Sequence, residues 1–383
     1  GAFDSSDANA IPTRTRSFAG ITNAEDAVND GSQGVPPDPM IAVGPGHVVT
    51  VVNNSYEIHD KAGNQLASEA FNSFFSGQGL IANPFDPKVR YDQYRGRFVM
   101  VVLDGKSGNT NQSQILIAVS DDSNPVGTWH KTKINSMLDI GGTNHWADFP
   151  GLGMDADALF ITNNMFTFGD DPEFGGVRLW IIAKDPLYAE GSLESPTPMA
   201  PWVDAGLGET NARTTMPSHA FGMLPGNVGT FLMLYSGLHF TNGNEVIRIL
   251  RIDDPLGTPT VEDSQLVALG NIDDTSVSMP DAPQLGSSTN IETNDRRSLD
   301  LLWRDNKLWG VFTIVPTSGG DSGQTTAHWV EIDTTNLGSL SVVDQGNVGG
   351  NDIDPNAYTF FPSITVDASG NMAMSFALSS PNH

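Results

Sequence analysis

One short motif recurs along this chain and limits what it can become. A proline is followed by apolar residues at alternate positions, then a tight turn, then a second apolar run. The clear copies begin at Asp38-Pro39-Met40-Ile41-Ala42-Val43, Asp86-Pro87-Lys88-Val89-Arg90-Tyr91, Asp148-Phe149-Pro150-Gly151-Leu152 and Phe361-Pro362-Ser363-Ile364-Thr365-Val366. A looser copy starts at Pro217-Ser218-His219, and one without proline runs Leu299-Asp300-Leu301-Leu302-Trp303. Alternation at period two is the signature of a strand with two unlike faces, and Gly, Asn, Asp and Pro punctuate the ends. Helical periodicity is scarce.

The turns after these starts include Gly44-Pro45-Gly46, Asp155-Ala156-Asp157, Asp305-Asn306 and Asp367-Ala368-Ser369-Gly370-Asn371. The starts lie near 39, 87, 150, 217, 299 and 362, so the intervals are 48, 63, 67, 82 and 63 residues. Intervals of that size suit four-stranded blades joined by loops of unequal length. The expectation is an all-β chain of 383 residues forming a β-propeller of six blades, with seven as the other count. A two-sheet sandwich is the competing arrangement for short strands; the repeated second strand favours the propeller. About twenty residues follow Pro362, enough for two strands of the last blade. The organisation expected is therefore an N-terminal segment, 1–35, supplying a ring-closing strand through Thr13 to Ile21, and a propeller over 36–383.

The blade starts Phe85-Asp86-Pro87-Lys88-Val89-Arg90-Tyr91-Asp92 and Trp146-Ala147-Asp148-Phe149-Pro150-Gly151 resemble those of secreted bacterial propeller proteins with sialidase-like repeats. Ser120-Asp121-Asp122-Ser123-Asn124-Pro125-Val126-Gly127-Thr128-Trp129 resembles an expanded Asp box, the Ser-x-Asp-x-Gly-x-Thr-Trp turn of that family. The resemblance implies a fold and a secreted, extracellular setting. It implies no chemistry, because the Asp box is a turn, and Ile11-Pro12-Thr13-Arg14 does not match the family's Arg-(Ile/Leu)-Pro element.

Charge narrows the partners. Lys and Arg number 19 against 45 Asp and Glu, a net charge of −26. Such a field repels phosphate backbones, so no nucleic acid is expected, and no run of apolar residues is long enough for a membrane-spanning helix. A carbohydrate or small-molecule ligand and a monomeric chain are the expectation. There is no Cys, which excludes disulfides and thiolate chemistry. The chain opens Gly1-Ala2-Phe3 rather than with Met, as a mature protein does once its signal peptide is removed.

In a propeller the loops entering the first strands share one face. Asp148, with His145, His219, Arg297 and Tyr358, makes the catalytic candidate set: carboxylates serve a glycoside hydrolase, and His, Tyr and Arg a polysaccharide lyase acting on acidic algal or plant glycans. Asp38, Asp86, Arg296, Asn164 and His239 are the candidate substrate binders. Recurrence of Asp38, Asp86 and Asp148 at like places points first to scaffolding, since Asp before Pro fixes its own turn. The oxygen-rich loops with Asp170, Asp171 and Glu173, and with Asp352 and Asp354, are candidate Ca²⁺ ligands, although none has EF-hand spacing. No organic cofactor is indicated. The functional expectation is an extracellular propeller engaging glycans, with hydrolase or lyase activity as the alternative.

Overall fold

The computed structural model describes residues 15–31, 34–105, 111–191, 193, 198–199, 214–226, 228–240 and 242–382. The described residues are dominated by strands, and the chain divides into two compact units, one within Ser5–Ala200 and the other within Pro201–His383.

The first unit opens with helix α1 (Asn23–Asp30) and then builds antiparallel sheets in chain order. Sheet one is β1 (Met40–Val43), β2 (His47–Val52), β3 (Ser55–Asp60) and β4 (Gln65–Ala70), closed by the single turn of α2 (Phe71–Phe74). Sheet two is β5 (Phe85–Asp92), β6 (Arg97–Gly105), β7 (Ser113–Ser120) and β8 (Trp129–Asn135). The short β9 (Leu138–Ile140) hairpins onto β10 (Thr143–Met154), which continues into β11 (Ala158–Thr167) and β12 (Phe174–Ala183) as sheet three, followed by α3 (Lys184–Glu190).

Sheet two explains why its sequence reads as a continuous apolar run. Phe98 to Leu103 and Ile115 to Val119 are all buried, so both faces are covered. Val99, Val101, Leu103, Ile115, Ile117 and Val119 pack with Leu152, Leu159, Ile161 and Trp180 of sheet three. The alternate residues Phe98, Met100, Val102, Leu116 and Ala118 pack with Val49, Val51, Tyr56 and Ile58 of sheet one. Each such side chain contributes about 1.5–3 kcal/mol by leaving water.

The second unit repeats the plan. Sheet four is β13 (Thr215–Pro217), then, after the short β14 (His219–Phe221), β15 (Thr230–Leu234), β16 (Glu245–Asp253) and β17 (Thr260–Gly270). β14 leaves that sheet and runs parallel to the first strand of sheet five, His219 opposite Leu302. Sheet five is β18 (Ser298–Arg304), β19 (Lys307–Ile314), β20 (Thr326–Asp333) and β21 (Ser341–Val348). Sheet six has β22 (Tyr358–Val366) and β23 (Met372–Ser379). Leu302, Trp309 and Val311 of sheet five pack with Ile364 and Val366 of sheet six.

Five of the six motif copies fall on or lead into β1, β5, β10, β18 and β22, whereas the looser copy at Pro217-Ser218-His219 spans the end of β13 and the start of β14, which pairs with β18. The turns behave as their residues dictate. Asp305 and Asn306 take φ of 49° and 61°, the left-handed pair of a tight hairpin turn. Asp92, Asp155 and Asp367 each accept two backbone N–H groups across the first hairpin of their sheets. The Asp-box-like segment is the β7–β8 turn, with the Trp129 indole donating to the Pro125 carbonyl at 2.8 Å.

The N-terminal segment departs from expectation where it is described. Residues 15–22 form no strand and 23–30 are helical; residues 1–14 lie outside the described residues. The reason is a reciprocal cap. Glu25 accepts from the Thr22 backbone N–H at 2.8 Å, and the Glu25 N–H donates to Thr22 Oγ1 at 3.3 Å, a capping box that starts a helix. Among the described residues sheet six has two strands.

Candidate functional site: a row of three carboxylates

Three of the motif prolines sit in β-bulges, and Pro39 directly precedes β1. In sheet two, Asp86 and Pro87 together oppose Val102; in sheet three, Phe149 and Pro150 oppose Asn163; in sheet six, Phe361 and Pro362 oppose Phe376. Proline has no N–H to lose from a ladder, and a bulge re-aims the side chains beside it. The residue before each of these prolines has positive φ: Asp38 44°, Asp86 51°, Phe149 46° and Phe361 50°. Non-glycine residues rarely hold this conformation, and each instance costs about 1–3 kcal/mol. The same strained position is thus occupied by Asp in sheets one and two and by Phe in sheets three and six. Asp148 stands one residue earlier than Asp38 and Asp86, so the three are not in equivalent positions.

The three carboxylates are nevertheless neighbours within the first unit: the charge of Asp86 bears on Asp38, and that of Asp148 bears on Asp86. All three residues are half-buried, so the row is reachable from solvent. Asn53, in the β2–β3 hairpin, donates to Asp38 Oδ2 at 2.7 Å and accepts the Asp86 backbone N–H at 2.6 Å. The Phe149 N–H donates to Asp86 Oδ2 at 3.1 Å, and the Asn163 amide reaches the Asp148 carbonyl at 3.4 Å. Lys88 lies over the Phe149 ring, 5.4 Å from its centroid.

Neighbouring ionised carboxylates repel each other, which favours the protonated form of the more buried one. Burial, and then the charge of Asp148, push the Asp86 carboxyl up to about 6, against the pull of Lys88 and the Phe149 N–H. Burial, and then Asp86, raise Asp38, with Lys88 and Asn53 opposing. The row is a cluster of carboxyl groups in which Asp86 takes up a proton at about pH 6.

The other residues named from sequence have different surroundings. His145 is buried at the start of β10, with Nδ1 2.8 Å from the Thr143 carbonyl. Its ring lies where a Cβ on Gly175 would come within 2.3 Å, so glycine is required there. Asn164 is buried on β11 opposite Asp148. In the second unit, His219 is buried against Phe221 with ring centroids 4.6 Å apart. Tyr358 begins β22 opposite Ser379. His239 is exposed, 3.3 Å from the Gly237 carbonyl.

The adjacent arginines are already engaged. Arg296 forms a two-bond fork with buried Asp273 at 2.7 and 3.0 Å, and also donates to the carbonyls of Asp274 and Val277. Tyr235 and the Val315 N–H complete the donors to Asp273, so Arg296 is the centre of a loop anchor. Arg297 pairs with Asp295.

The acids read as cation ligands do not converge. Asp170, Asp171 and Glu173 are exposed in the β11–β12 turn, where Glu173 pairs with Thr167 through its backbone. Asp354 accepts from Ser380 and Asn382, and Asp352 is exposed. Among the described residues no group of three or more His, Asp or Glu is placed to hold a metal ion.

Asn53 is not among the candidate binders named from sequence, although the Asn53-Asn54 doublet stands in a loop expected at that face. The Asn53-Asn54 doublet after an apolar strand was its signal, since Asn54 supplies the left-handed φ of 86° that the hairpin needs.

No family model and no curated protein matches the sequence. Solved structures similar to it are named as glycan-degrading enzymes. A xylan β-1,4-xylosidase from Bacillus halodurans aligns at 13% identity and a TM-score of 0.39, over 81% of this chain and 55% of its own. An exo-1,5-α-L-arabinanase from a bovine ruminal metagenomic library aligns at 13% and 0.38, over 80% and 96%. An α-L-arabinanase from Cellvibrio cellulosa, complexed with arabinohexaose, aligns at 12% and 0.36, over 84% and 97%. Likeness at this level leaves the chemistry to be argued from the residues. No helix among the described residues is long and apolar enough to cross a membrane.

Proposed function

We propose that the chain is an extracellular β-propeller, its six sheets acting as blades, and that it engages glycans through the Asp38–Asp86–Asp148 row. The observation that carries the reading is the row itself: three half-buried neighbouring carboxylates, two of them at residues held at positive φ. Such a row offers a line of acceptor oxygens to sugar hydroxyls, and charge-assisted bonds of this kind are about twice as strong as neutral ones. Strain held at a recurring bulge where the carboxylates meet is what a pre-organised site requires.

A second reading, glycoside hydrolysis, is favoured by Asp86. General acid catalysis needs a carboxyl that keeps its proton near working pH beside another that is ionised. An Asp86 titrating at about 6 between Asp38 and Asp148 meets that requirement. The lyase reading has no comparable support, because the Arg297 guanidinium is held by Asp295.

The test is a panel of soluble polysaccharides, followed by calorimetry, release of reducing ends, and absorbance from unsaturated uronates. At least one glycan should bind saturably. Asp86→Asn should weaken it tenfold or more, about 1.4 kcal/mol, with the fold retained. No binding across the panel, or equal binding by the variant, contradicts the proposal. Reducing ends released by the wild type and not by Asp86→Asn would establish hydrolysis.

A further inference from the structure

The amide of Asn53 is used on both sides. Nδ2 donates to Asp38 Oδ2 at 2.7 Å and to the Pro36 carbonyl at 2.8 Å, while Oδ1 accepts the Asp86 N–H at 2.6 Å. Its orientation is fixed by its partners: a backbone carbonyl only accepts and a backbone N–H only donates. The hairpin is also braced from behind. Buried Asp26 of α1 accepts from Ser55 Oγ at 2.5 Å and from the Gly34 N–H at 2.9 Å. Gly34 in turn lies so close that a Cβ there would come within 2.7 Å of the Asn53 Cβ and carbonyl oxygen. Asn53 is therefore wedged between a backbone wall and the acid row.

A donor to a carboxylate favours its ionised form. Asn53 supplies that donor to Asp38 at 2.7 Å, whereas Asp86 has the longer 3.1 Å bond from the Phe149 N–H and two carboxylates as neighbours. We propose that Asn53 is the positioning residue that sorts the row, favouring the ionised form of Asp38 and leaving Asp86 as the carboxyl that takes up the proton. An ionised Asp38 then repels a second negative charge on Asp86, so the two effects reinforce each other. The charged groups facing this exchange are Asp38, Asp86, Asp148 and Lys88. The assignment rests on the row being the working site and deepens that reading by naming Asp86 as the acid and Asp38 as the anion.

The test is carbon-13 titration of the aspartate carboxyl groups in the whole chain. In Asn53→Ala the apparent pKa of Asp38 should rise by about one unit and that of Asp86 should fall by a similar amount. Should that variant fail to fold, Asp38→Asn with Asn53 intact gives the second arm: Asp86 should fall by about one unit, because the anion beside it is gone. Unchanged titration of both residues in folded Asn53→Ala, or an unmoved Asp86 in Asp38→Asn, overturns the proposal. No glycan enters the measurement. Shifts without any glycan binding would refute the functional reading alone, and glycan binding without the shifts would refute this one alone.

Discussion

Asp86 in sheet two and Asp300 in sheet five do the same structural task with opposite surroundings. Each accepts a backbone N–H from the bulged first strand of the next sheet: Phe149 for Asp86 and Ile364 for Asp300. Asp300 is buried and also receives the Ser363 hydroxyl and the Leu301 N–H. Asp86 receives one backbone donor and has Lys88 and two carboxylates as charged neighbours. Asp92 and Asp273 belong with Asp300. Asp92 takes Lys184 at 2.7 Å and Tyr188 at 2.7 Å, in a buried pair with no exposure on either side. A carboxylate satisfied by donors holds sheets together. One satisfied by other carboxylates keeps a proton in play and is available to a ligand.

That contrast predicts a ranking of variants. Lys184→Ala leaves the Asp92 carboxylate buried without its cation and should cost about 3–5 kcal/mol in urea unfolding. Asp300→Ala strips Ser363 and Ile364 of a buried acceptor and should cost about 2–3 kcal/mol. Asp86→Asn should cost less than about 1 kcal/mol, because it removes like-charge repulsion while keeping the shape. Equal losses for Asp300→Ala and Asp86→Asn would erase the distinction.

Much of this architecture was legible in the sequence. Proline followed by period-two apolarity marks strand starts because a bulge tolerates proline and a half-buried strand alternates, whereas the looser copy at Pro217 marks the end of β13. What spacing could not show was phase. Asp148 looked equivalent to Asp86, yet the bulge counts Phe149 as the residue before proline and leaves Asp148 one place earlier. Nor could spacing show that Arg296 would be consumed by Asp273, 23 residues away, through a loop that folds back on it. The ring-closing strand sought around Thr13 to Ile21 was drawn from the need to cover an edge. The Thr22-x-x-Glu25 capping box was the local signal for a helix there.

The pH dependence of stability gives the smallest expected effects, with opposite signs in the two units. His328 is buried against Phe312, with Nδ1 2.6 Å from Asn347 Oδ1, and burial holds its pKa below the ordinary value. Below about pH 6.5 the unfolded chain binds a proton there that the folded chain refuses. Stability should therefore fall as pH drops through that range, and His328→Gln should abolish this component. Asp86 acts the other way. Between its unfolded value of 3.8 and about 6 the folded chain binds more protons, so its contribution falls as pH rises. Asp86→Asn should remove that slope, and unfolding curves from pH 4 to 7 would resolve both components.

The most direct test of the acid row is the carboxyl titration of Asp86 in the unmodified protein and in Asp148→Asn. The carboxylate row predicts an apparent pKa of about 6 in the first and a clear downward shift in the second. An Asp86 that titrates near the ordinary carboxylate value of about 4, unmoved by Asp148→Asn, would contradict it.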